Sequence, residues 1–215
     1  MAHQIQRGDT LSDKLLEEVD RNDVFVISFA SDDDQLSQWR GYGADGHGYS
    51  VGFDTSSLTQ VKPDPVVYKV VYDEDKQLHM CEYLLRDGMI QLDEVLQKSN
   101  LQPSPATLAY LLSFTIRVLL PGFKHPSFAE EKEVRMFLIR NYDPAADQGM
   151  FFKERKGLLV PHIPVRWGEV RLPIREIIVG PNLNFEKAKW GLEHLLKQQG
   201  YENVEIKKSQ IPYLA

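Results

Sequence analysis

Residues 24–54 decide the predicted fold, and their sequence is VFVISFASDDDQLSQWRGYGADGHGYSVGFD. The stretch begins with a continuous β-branched and aromatic run, which is typical of a buried strand. A turn or the start of a helix is predicted around 36–39, and residues 49–53 return to strand. Four glycines fall within residues 41–48, and this density predicts irregular backbone between the helix and the second strand.

The rest of the chain places strands on both sides of a helical block. Apolar residues at helical spacing predict two or three helices within residues 76–120, which we interpret as an insertion. Helices are also predicted at 10–22 and, with Asn184 as the N-cap, through Gln199. Further strands are predicted at 66–72, 134–139, 158–165 with a break at Pro161, 176–179 and 204–206. This order is not the alternation of a doubly wound sheet, so the sequence predicts an α+β fold and a single domain over residues 1–215.

Composition excludes several classes of protein. The chain has 215 residues, of which 42% are hydrophobic and 26% charged, as in globular domains. A single cysteine, Cys81, excludes a disulfide scaffold, and the six histidines have no metal-ligand spacing, so no metal site is predicted. The uncharged run over 101–116 contains prolines and polar residues, so no membrane-spanning helix is predicted. The N-terminus lacks the apolar core of a signal peptide, and a cytoplasmic protein without a membrane partner is expected.

The formal net charge of -6 is unevenly distributed along the chain. Residues 1–99 carry the acidic excess, whereas residues 132–175 carry an excess of Lys and Arg. Two interpretations stay open for this basic segment: scattered solvated charges, or a surface that binds nucleic acid. The side chains that would form such a surface are Lys132, Arg135, Arg140, Lys153, Arg155, Lys156 and Arg166.

The glycine-rich stretch is the first candidate site. Glycines let the backbone approach a ligand closely, and aromatic rings supply stacking faces, so the combination suits a pocket for a planar ring. The alternative is a loop that is pinned by a buried Trp39. The candidate ligand-binding residues are Trp39, Arg40, Tyr42, His47 and Tyr49.

A pair of glutamates is the second candidate site. Glu131 and Glu133 flank Lys132 where a strand is predicted to begin. Because side chains two apart on a strand point the same way, both carboxylates are predicted to face one cleft. One of them would there stabilise a cation that forms in a transition state. The alternative is a solvated run of charges.

A basic run over residues 153–156, Lys-Glu-Arg-Lys, is the third candidate. It precedes a predicted strand, and Arg155 in this position is a candidate phosphate ligand. The alternative is a polar hairpin.

Several motifs occur in a fixed order. They are Val24–Phe29, Leu36–Tyr42, Gly48–Asp54, Phe123–Phe128, Glu130–Glu133, Ile177–Pro181 and Ile211–Tyr213. Together they resemble a bacterial family catalogued as domain of unknown function 2971, and the resemblance covers the chain from about residue 23 to the C-terminus. Members of that family look like relatives of the ADP-ribosyltransferase fold, which binds NAD between two small sheets.

The resemblance implies a split two-sheet, ADP-ribosyltransferase-like core with NAD as its substrate. It implies transfer of ADP-ribose to a macromolecule or hydrolysis of NAD, in a bacterial toxin or phage-defence setting. Such enzymes place a His or Arg on a first strand, a Tyr or Ser on a second and a Glu at the start of a later strand. Glu133 matches that Glu position, and Glu131 matches the upstream member of a Glu-x-Glu pair. The loop from Trp39 to Tyr49 would hold nicotinamide, with Tyr42 or Tyr49 as the stacking ring.

The chain departs from the family pattern at its N-terminus. Members usually begin with an aromatic-rich strand that bears a His-Tyr-Thr-like motif, and residues 1–22 do not match it. A protein without that strand is expected to bind NAD poorly or not to react. The alternative function is therefore a non-catalytic module of the same fold, which binds a nucleotide or a protein through the glycine-rich loop. A third is a nucleic-acid binder that uses residues 132–175.

Overall fold

The computed structural model describes residues 22–54, 56, 65–99, 105–141, 150–165 and 171–214. Within these ranges the protein is a mixed α+β structure with several small sheets and a few helices, which confirms the predicted fold class. In chain order the elements are β1 (Asn22–Ala30), α1 (Leu36–Gly41), β2 (Tyr49–Phe53), β3 (Val66–Lys69), α2 (Glu74–Ser99), α3 (Pro105–Leu119), β4 (Glu133–Asn141), β5 (Phe151–Arg155), β6 (Leu158–His162), β7 (Ile174–Val179), α4 (Phe185–Gln198) and β8 (Glu205–Lys208). Two short 3₁₀ turns, Leu120–Gly122 and Pro126–Glu131, lead from α3 into β4.

The strands form two three-stranded sheets and one hairpin. The sheet orders are β1-β4-β3 and β2-β7-β8, and β5 pairs with β6. In the second sheet β7 is central: it runs antiparallel to β2, with Tyr49 opposite Val179, and parallel to β8, with Ile177 opposite Ile206. Since parallel neighbours need a crossover, α4 connects β7 to β8 as one β-α-β unit.

The chain divides into two compact units. The first unit comprises Met1–Ile27, Tyr68–Ala129 and Arg135–Pro164. The second unit comprises Ser28–Val67, Glu130–Val134 and Val165–Ala215. No helix within the described ranges is both long and apolar enough to cross a membrane.

The core of the first unit lies on β4. Met136, Phe137 and Leu138 are buried there. The ring of Tyr68 meets Phe137 edge-on, with the ring centroids 5.1 Å apart, and its hydroxyl donates a 2.7 Å hydrogen bond to the Val118 carbonyl at the end of α3. Tyr68 therefore ties β3 to both the central strand and the helical block.

The core of the second unit lies on β7 and the helix that follows it. Ile177, Ile178 and Val179 are buried on β7, and Leu196 is buried on α4. The side chain of Asn184 accepts a 3.0 Å hydrogen bond from the Lys187 amide, which confirms the predicted N-cap of α4. Successive side chains on a strand point to opposite faces, so the three buried residues of β7 show that this strand is covered on both faces.

Several sequence predictions are confirmed and others are wrong. Helices do occupy most of 76–120. The run at 24–29 is a strand but not a buried one, because the side chain of Val26 is 45% exposed and that of Ile27 is also exposed. Pro161 does not break its strand: it lies within β6 opposite Phe152, in a two-stranded hairpin whose edge tolerates a missing N–H. The predicted helix at 10–22, apart from its last residue, lies outside the described residues.

Replacing the helix cap is the first test of this fold. Asn184→Ala removes the acceptor of the Lys187 amide, so we expect the free energy of unfolding to fall by about 1 kcal/mol. Asn184→Ser retains a capping oxygen and is expected to lose much less, as measured by urea denaturation. Equal losses in the two variants would contradict the capping role.

The buried phenol predicts a pH dependence of stability. Burial raises the pKa of Tyr68 from its usual 10.0 to about 12, although the nearby Arg135 charge opposes the rise. Because the folded state disfavours the phenolate, the stabilisation from Tyr68 is complete below about pH 10 and is lost as the pH rises toward 12. Tyr68→Phe is expected to cost about 1 kcal/mol at pH 7 through its lost hydrogen bond. That deficit should shrink between pH 10 and 12 in urea denaturation, and a deficit that is constant with pH would contradict the assignment.

Candidate functional site

The glycine-rich loop after α1 is a fixed structure held by its own backbone. The Gly43 amide donates to the Gln38 carbonyl over 3.0 Å, and the Gly48 amide donates to the Gly43 carbonyl over 2.8 Å. Ala44, Asp45 and Gly46 have φ values of 48°, 56° and 81°, so the loop reverses through three consecutive left-handed residues. Residues 42–48 are therefore irregular, as predicted, but well defined.

The loop is also bound to the end of β7. The Gly180 amide donates to the Gly48 carbonyl, and the Asn182 amide donates to the Gly46 carbonyl, both over 3.0 Å. A Cβ atom at Gly180 would lie 2.4 Å from the Gly46 carbonyl oxygen, so only glycine allows this approach. The Asn182 side chain adds a 2.8 Å hydrogen bond to the Asp45 carbonyl. The loop is thus an extension of the sheet edge.

Trp39 anchors the loop from inside. Only 3% of the surface of Trp39 is exposed to solvent. Its indole N–H donates a 2.7 Å hydrogen bond to Asp34. A Cβ atom at Gly43 would lie 2.6 Å from the indole ring, so the loop backbone rests directly on that ring. These contacts give Trp39 a structural role, as in the alternative of a loop pinned by a buried tryptophan, and the ligand contact predicted for it stays a prediction.

Asp34 joins three segments of the second unit. Besides the indole, it accepts 2.7 Å hydrogen bonds from the Ser209 hydroxyl and from the Gln210 amide. Ser209 is buried and directly follows β8. One carboxylate therefore fixes α1 and the C-terminal segment together.

The other residues predicted as ligand-binding in the loop form two groups: Arg40 contacts another side chain, and the rest are exposed to solvent. The Arg40 guanidinium lies 5.1 Å from the centre of the Tyr213 ring, and the Tyr213 hydroxyl donates to the Asp45 carboxylate. Tyr42 is 73% exposed, and Tyr49 and His47 are exposed as well. Tyr42 and Tyr49 thus present ring surface to solvent, whereas Arg40 stacks on a ring of the same unit.

Glu133 is a buried carboxylate at the first position of β4. It is 7% exposed, and the Ser28 hydroxyl on β1 lies 3.4 Å from its Oε2, a long hydrogen bond. A buried carboxylate requires polar partners, since burial without them costs several kcal/mol. The second unit thus contains a glutamate and a serine that face each other from neighbouring strands.

The turn before Glu133 is held in a strained conformation. Lys132 has a φ of 43°, in the left-handed region that a side chain disfavours. Its carbonyl accepts hydrogen bonds from the Ser31 amide and hydroxyl, and its ammonium pairs with Asp32 over 2.7 Å. Gln35 donates to the Glu130 carbonyl over 3.0 Å. Strain of this kind persists where surrounding contacts determine it, and it occurs often at functional sites.

Glu131 lies off the strand. It belongs to the 3₁₀ turn, and β4 begins only at Glu133. The rule that side chains two apart share a face therefore does not apply, and the predicted strand arrangement of the two carboxylates is wrong. The left-handed Lys132 between them is the physical cause.

Arg155 lies in the first unit, on β5, and its side chain is exposed. All other predicted site residues belong to the second unit. Among the described residues there is no group of three His, Cys, Asp or Glu side chains that would hold a metal ion.

Sequence reasoning gave no role to three residues that organise this region: Ser28, Asp34 and Tyr213. In the sequence, Asp34 is one of three consecutive aspartates, and no local pattern distinguishes it from the other two. Tyr213 belonged to a motif of the resemblance, but its partners, Arg40 and Asp45, are far away in the sequence.

Comparison with known proteins supports one part of the resemblance. Residues 38–136 match the model of the family described as Protein of unknown function (DUF2971). The matched segment begins in α1 and ends in β4, so it includes the glycine-rich loop and both glutamates. No curated protein and no solved structure matches the chain.

The Asp34 carboxylate is expected to be the strongest single determinant of the loop. Asp34→Ala leaves the buried indole N–H and the Ser209 hydroxyl without their acceptor, and we expect it to cost about 2–4 kcal/mol of unfolding free energy. Asp33→Ala removes the same charge from an exposed neighbour and is expected to cost less than about 0.5 kcal/mol. The measurement is urea denaturation, and similar losses in the two variants would contradict the role of Asp34.

Proposed function

We propose that this protein is ADP-ribosyltransferase-like, cleaving NAD to transfer ADP-ribose to a macromolecule or to water. The observation that carries the proposal is Glu133: a buried carboxylate at the start of a strand, with the Ser28 hydroxyl 3.4 Å away and a strained residue directly before it. The resemblance implies a glutamate at the start of a strand and a serine or tyrosine on another strand. Glu133 and Ser28 fit those two positions.

The chemistry requires a carboxylate in such a position. Breaking the bond between nicotinamide and ribose leaves an oxocarbenium-like ribose, as in glycoside hydrolysis. A fixed carboxylate that accepts a hydrogen bond from a ribose hydroxyl stabilises the developing positive charge. Burial strengthens this effect, because water does not screen the charge of Glu133.

The glycine-rich loop would bind the nicotinamide end of NAD. Tyr42 and Tyr49 are the stacking rings in this proposal, since both expose ring surface. Trp39 and Arg40 contribute indirectly: the first supports the loop backbone and the second stacks on Tyr213. Roles for His47 and Arg155 in NAD binding stay predictions, as does the setting in bacterial defence or toxin systems.

Glu131 would act on the acceptor. It lies two residues before Glu133 but on a turn, so the two carboxylates have separate backbone supports. In the proposal Glu131 orients or deprotonates the acceptor nucleophile. Loss of Glu131 is therefore expected to reduce transfer more than hydrolysis.

A specific observation also favours the non-catalytic module. Arg40, Tyr213 and Asp45 are joined to one another, and the loop backbone is hydrogen-bonded to Gly180 and Asn182. A loop held in this way is a stable surface for a nucleotide or a protein even without turnover.

Substitution of Glu133 tests the catalytic proposal. Glu133→Gln keeps the shape of the side chain and removes its charge, so we expect nicotinamide release from NAD to fall by at least about 100-fold. Release is measured by chromatography with the intact protein, with and without a cell extract as a source of acceptors. Glu130→Gln is the matched control, because Glu130 is exposed in the 3₁₀ turn just before β4, and this variant should retain activity.

Two outcomes decide against the enzyme. No nicotinamide release under any of these conditions would overturn it, and so would a Glu133→Gln protein as fast as the parent. Isothermal titration with NAD then distinguishes the alternatives: binding without turnover supports the module, and no binding removes both nucleotide proposals.

A further inference from the structure

The β5–β6 hairpin projects its side chains into solvent on both faces. Residues 151–159 are exposed at every position, within the first unit. The two strands are joined by Lys156 and Gly157, with φ values of 52° and 83°, as in the type I′ turns of tight hairpins. A two-stranded hairpin with no buried face is marginally stable alone, so this arm is suited to gain contacts from a partner.

One face of the hairpin is cationic. Side chains of directly opposed residues share a face, so the register places Lys153 and Arg155 on one face. That face also carries Phe151, Leu158, Val160 and His162. The rings of Phe151 and His162 stack with centroids 5.4 Å apart, and the Lys153 ammonium lies 5.5 Å from the Phe151 centroid. With Lys156 in the turn, the cationic face and the turn carry three positive charges.

The hairpin contains a single carboxylate, and it is engaged. Glu154 accepts a hydrogen bond from the Gly157 amide, so it closes the turn. Its charge remains, but the three cations Lys153, Arg155 and Lys156 outnumber this one carboxylate, so the net charge of the hairpin is positive. A cationic surface of this size favours an anionic partner.

The other face is apolar and carries one free ring. It presents Phe152, Leu159 and Pro161 together with the Glu154 carboxylate, and Phe152 is 60% exposed and Leu159 73%. Phe152 stacks on no aromatic ring of the described residues. An exposed aromatic ring and cationic side chains on the same hairpin are the composition with which proteins bind unpaired bases and phosphates.

We propose that the β5–β6 hairpin binds single-stranded nucleic acid. Phosphates contact Lys153, Arg155 and Lys156, and one base stacks on Phe152. The cations and the Phe152 ring lie on opposite faces of the hairpin, so the ligand has to contact both faces. A flexible single-stranded nucleic acid can do so by passing around the narrow hairpin. The proposal does not depend on NAD cleavage.

The geometry is less suited to two other occupants. A flat anionic bilayer would have to cover the apolar face and the cations together, but Lys153 and Arg155 project from the opposite face and Glu154 lies on the apolar one. A second copy of the chain would bury only three apolar side chains from each apolar face. A stable interface buries roughly 800 Å² and about 20–30 residues on each partner, many more than these three side chains.

The test is fluorescence anisotropy with labelled oligo(dT) and oligo(U) of about 20 nucleotides and the full chain. Three phosphate contacts predict that affinity falls about 20-fold between about 50 and about 200 mM salt. Substituting Lys153, Arg155 and Lys156 together by Gln should remove most of this salt dependence. The matched control substitutes Lys187, Lys189 and Lys197 on α4 by Gln, which changes the net charge equally and should leave binding unchanged.

The ring is tested separately. Phe152→Leu retains an apolar side chain but not the stacking face, and is expected to weaken binding by about tenfold, whereas Phe152→Tyr should bind like the parent. Circular dichroism verifies that both variants fold. The proposal is overturned if neither oligonucleotide binds at about 50 mM salt and about 100 µM protein. It is also overturned if the α4 control loses as much affinity as the hairpin variant, or if phosphatidylserine vesicles bind and the oligonucleotides do not.

Discussion

The carboxylate of Asp34 is the interaction on which the second unit depends. It accepts hydrogen bonds from an indole N–H, a hydroxyl and a backbone amide. The buried donors, the Trp39 indole and the Ser209 hydroxyl, would otherwise lose their partner where water is excluded. Through Trp39 the effect extends further, because the Trp39 carbonyl accepts the Gly46 amide and its ring supports Gly43. The shape of the glycine-rich loop is thus a consequence of one acidic side chain outside it.

The same short segment also holds the turn before Glu133. Asp32 pairs with Lys132, and Gln35 donates to the Glu130 carbonyl. Residues 32–35 therefore position both the aromatic loop and the buried glutamate, although the two are about 90 residues apart in the sequence. An arrangement that is fixed before a ligand binds loses less conformational entropy on binding. Residues 32–35 contribute this preorganisation to binding or to catalysis.

Local patterns in the sequence predicted what depends on local physics. The Asn184 cap, the helices between 76 and 120, and the strand at 49–53 follow from periodicity and from hydrogen bonds within a few residues. The pairing of Asp34 with Ser209 joins residues 175 positions apart, and no local pattern contains it. Likewise, the alternation rule failed at Glu131 because β4 begins only at Glu133, directly after the left-handed Lys132. Such a conformation is set by Ser31 and Asp32 from another part of the chain.

Asp34 and Glu133 are both enclosed carboxylates, but their partners suit different tasks. The donors to Asp34 include an indole inside the core and a backbone amide, and neither can turn toward another acceptor. Ser28, which faces Glu133, has a hydroxyl that rotates and that both donates and accepts. A carboxylate bound by rigid donors stabilises a fold, since exchanging those bonds would open the core. A carboxylate beside a rotatable hydroxyl can accept a hydrogen bond from a substrate at little cost, and the proposed role of Glu133 depends on this property.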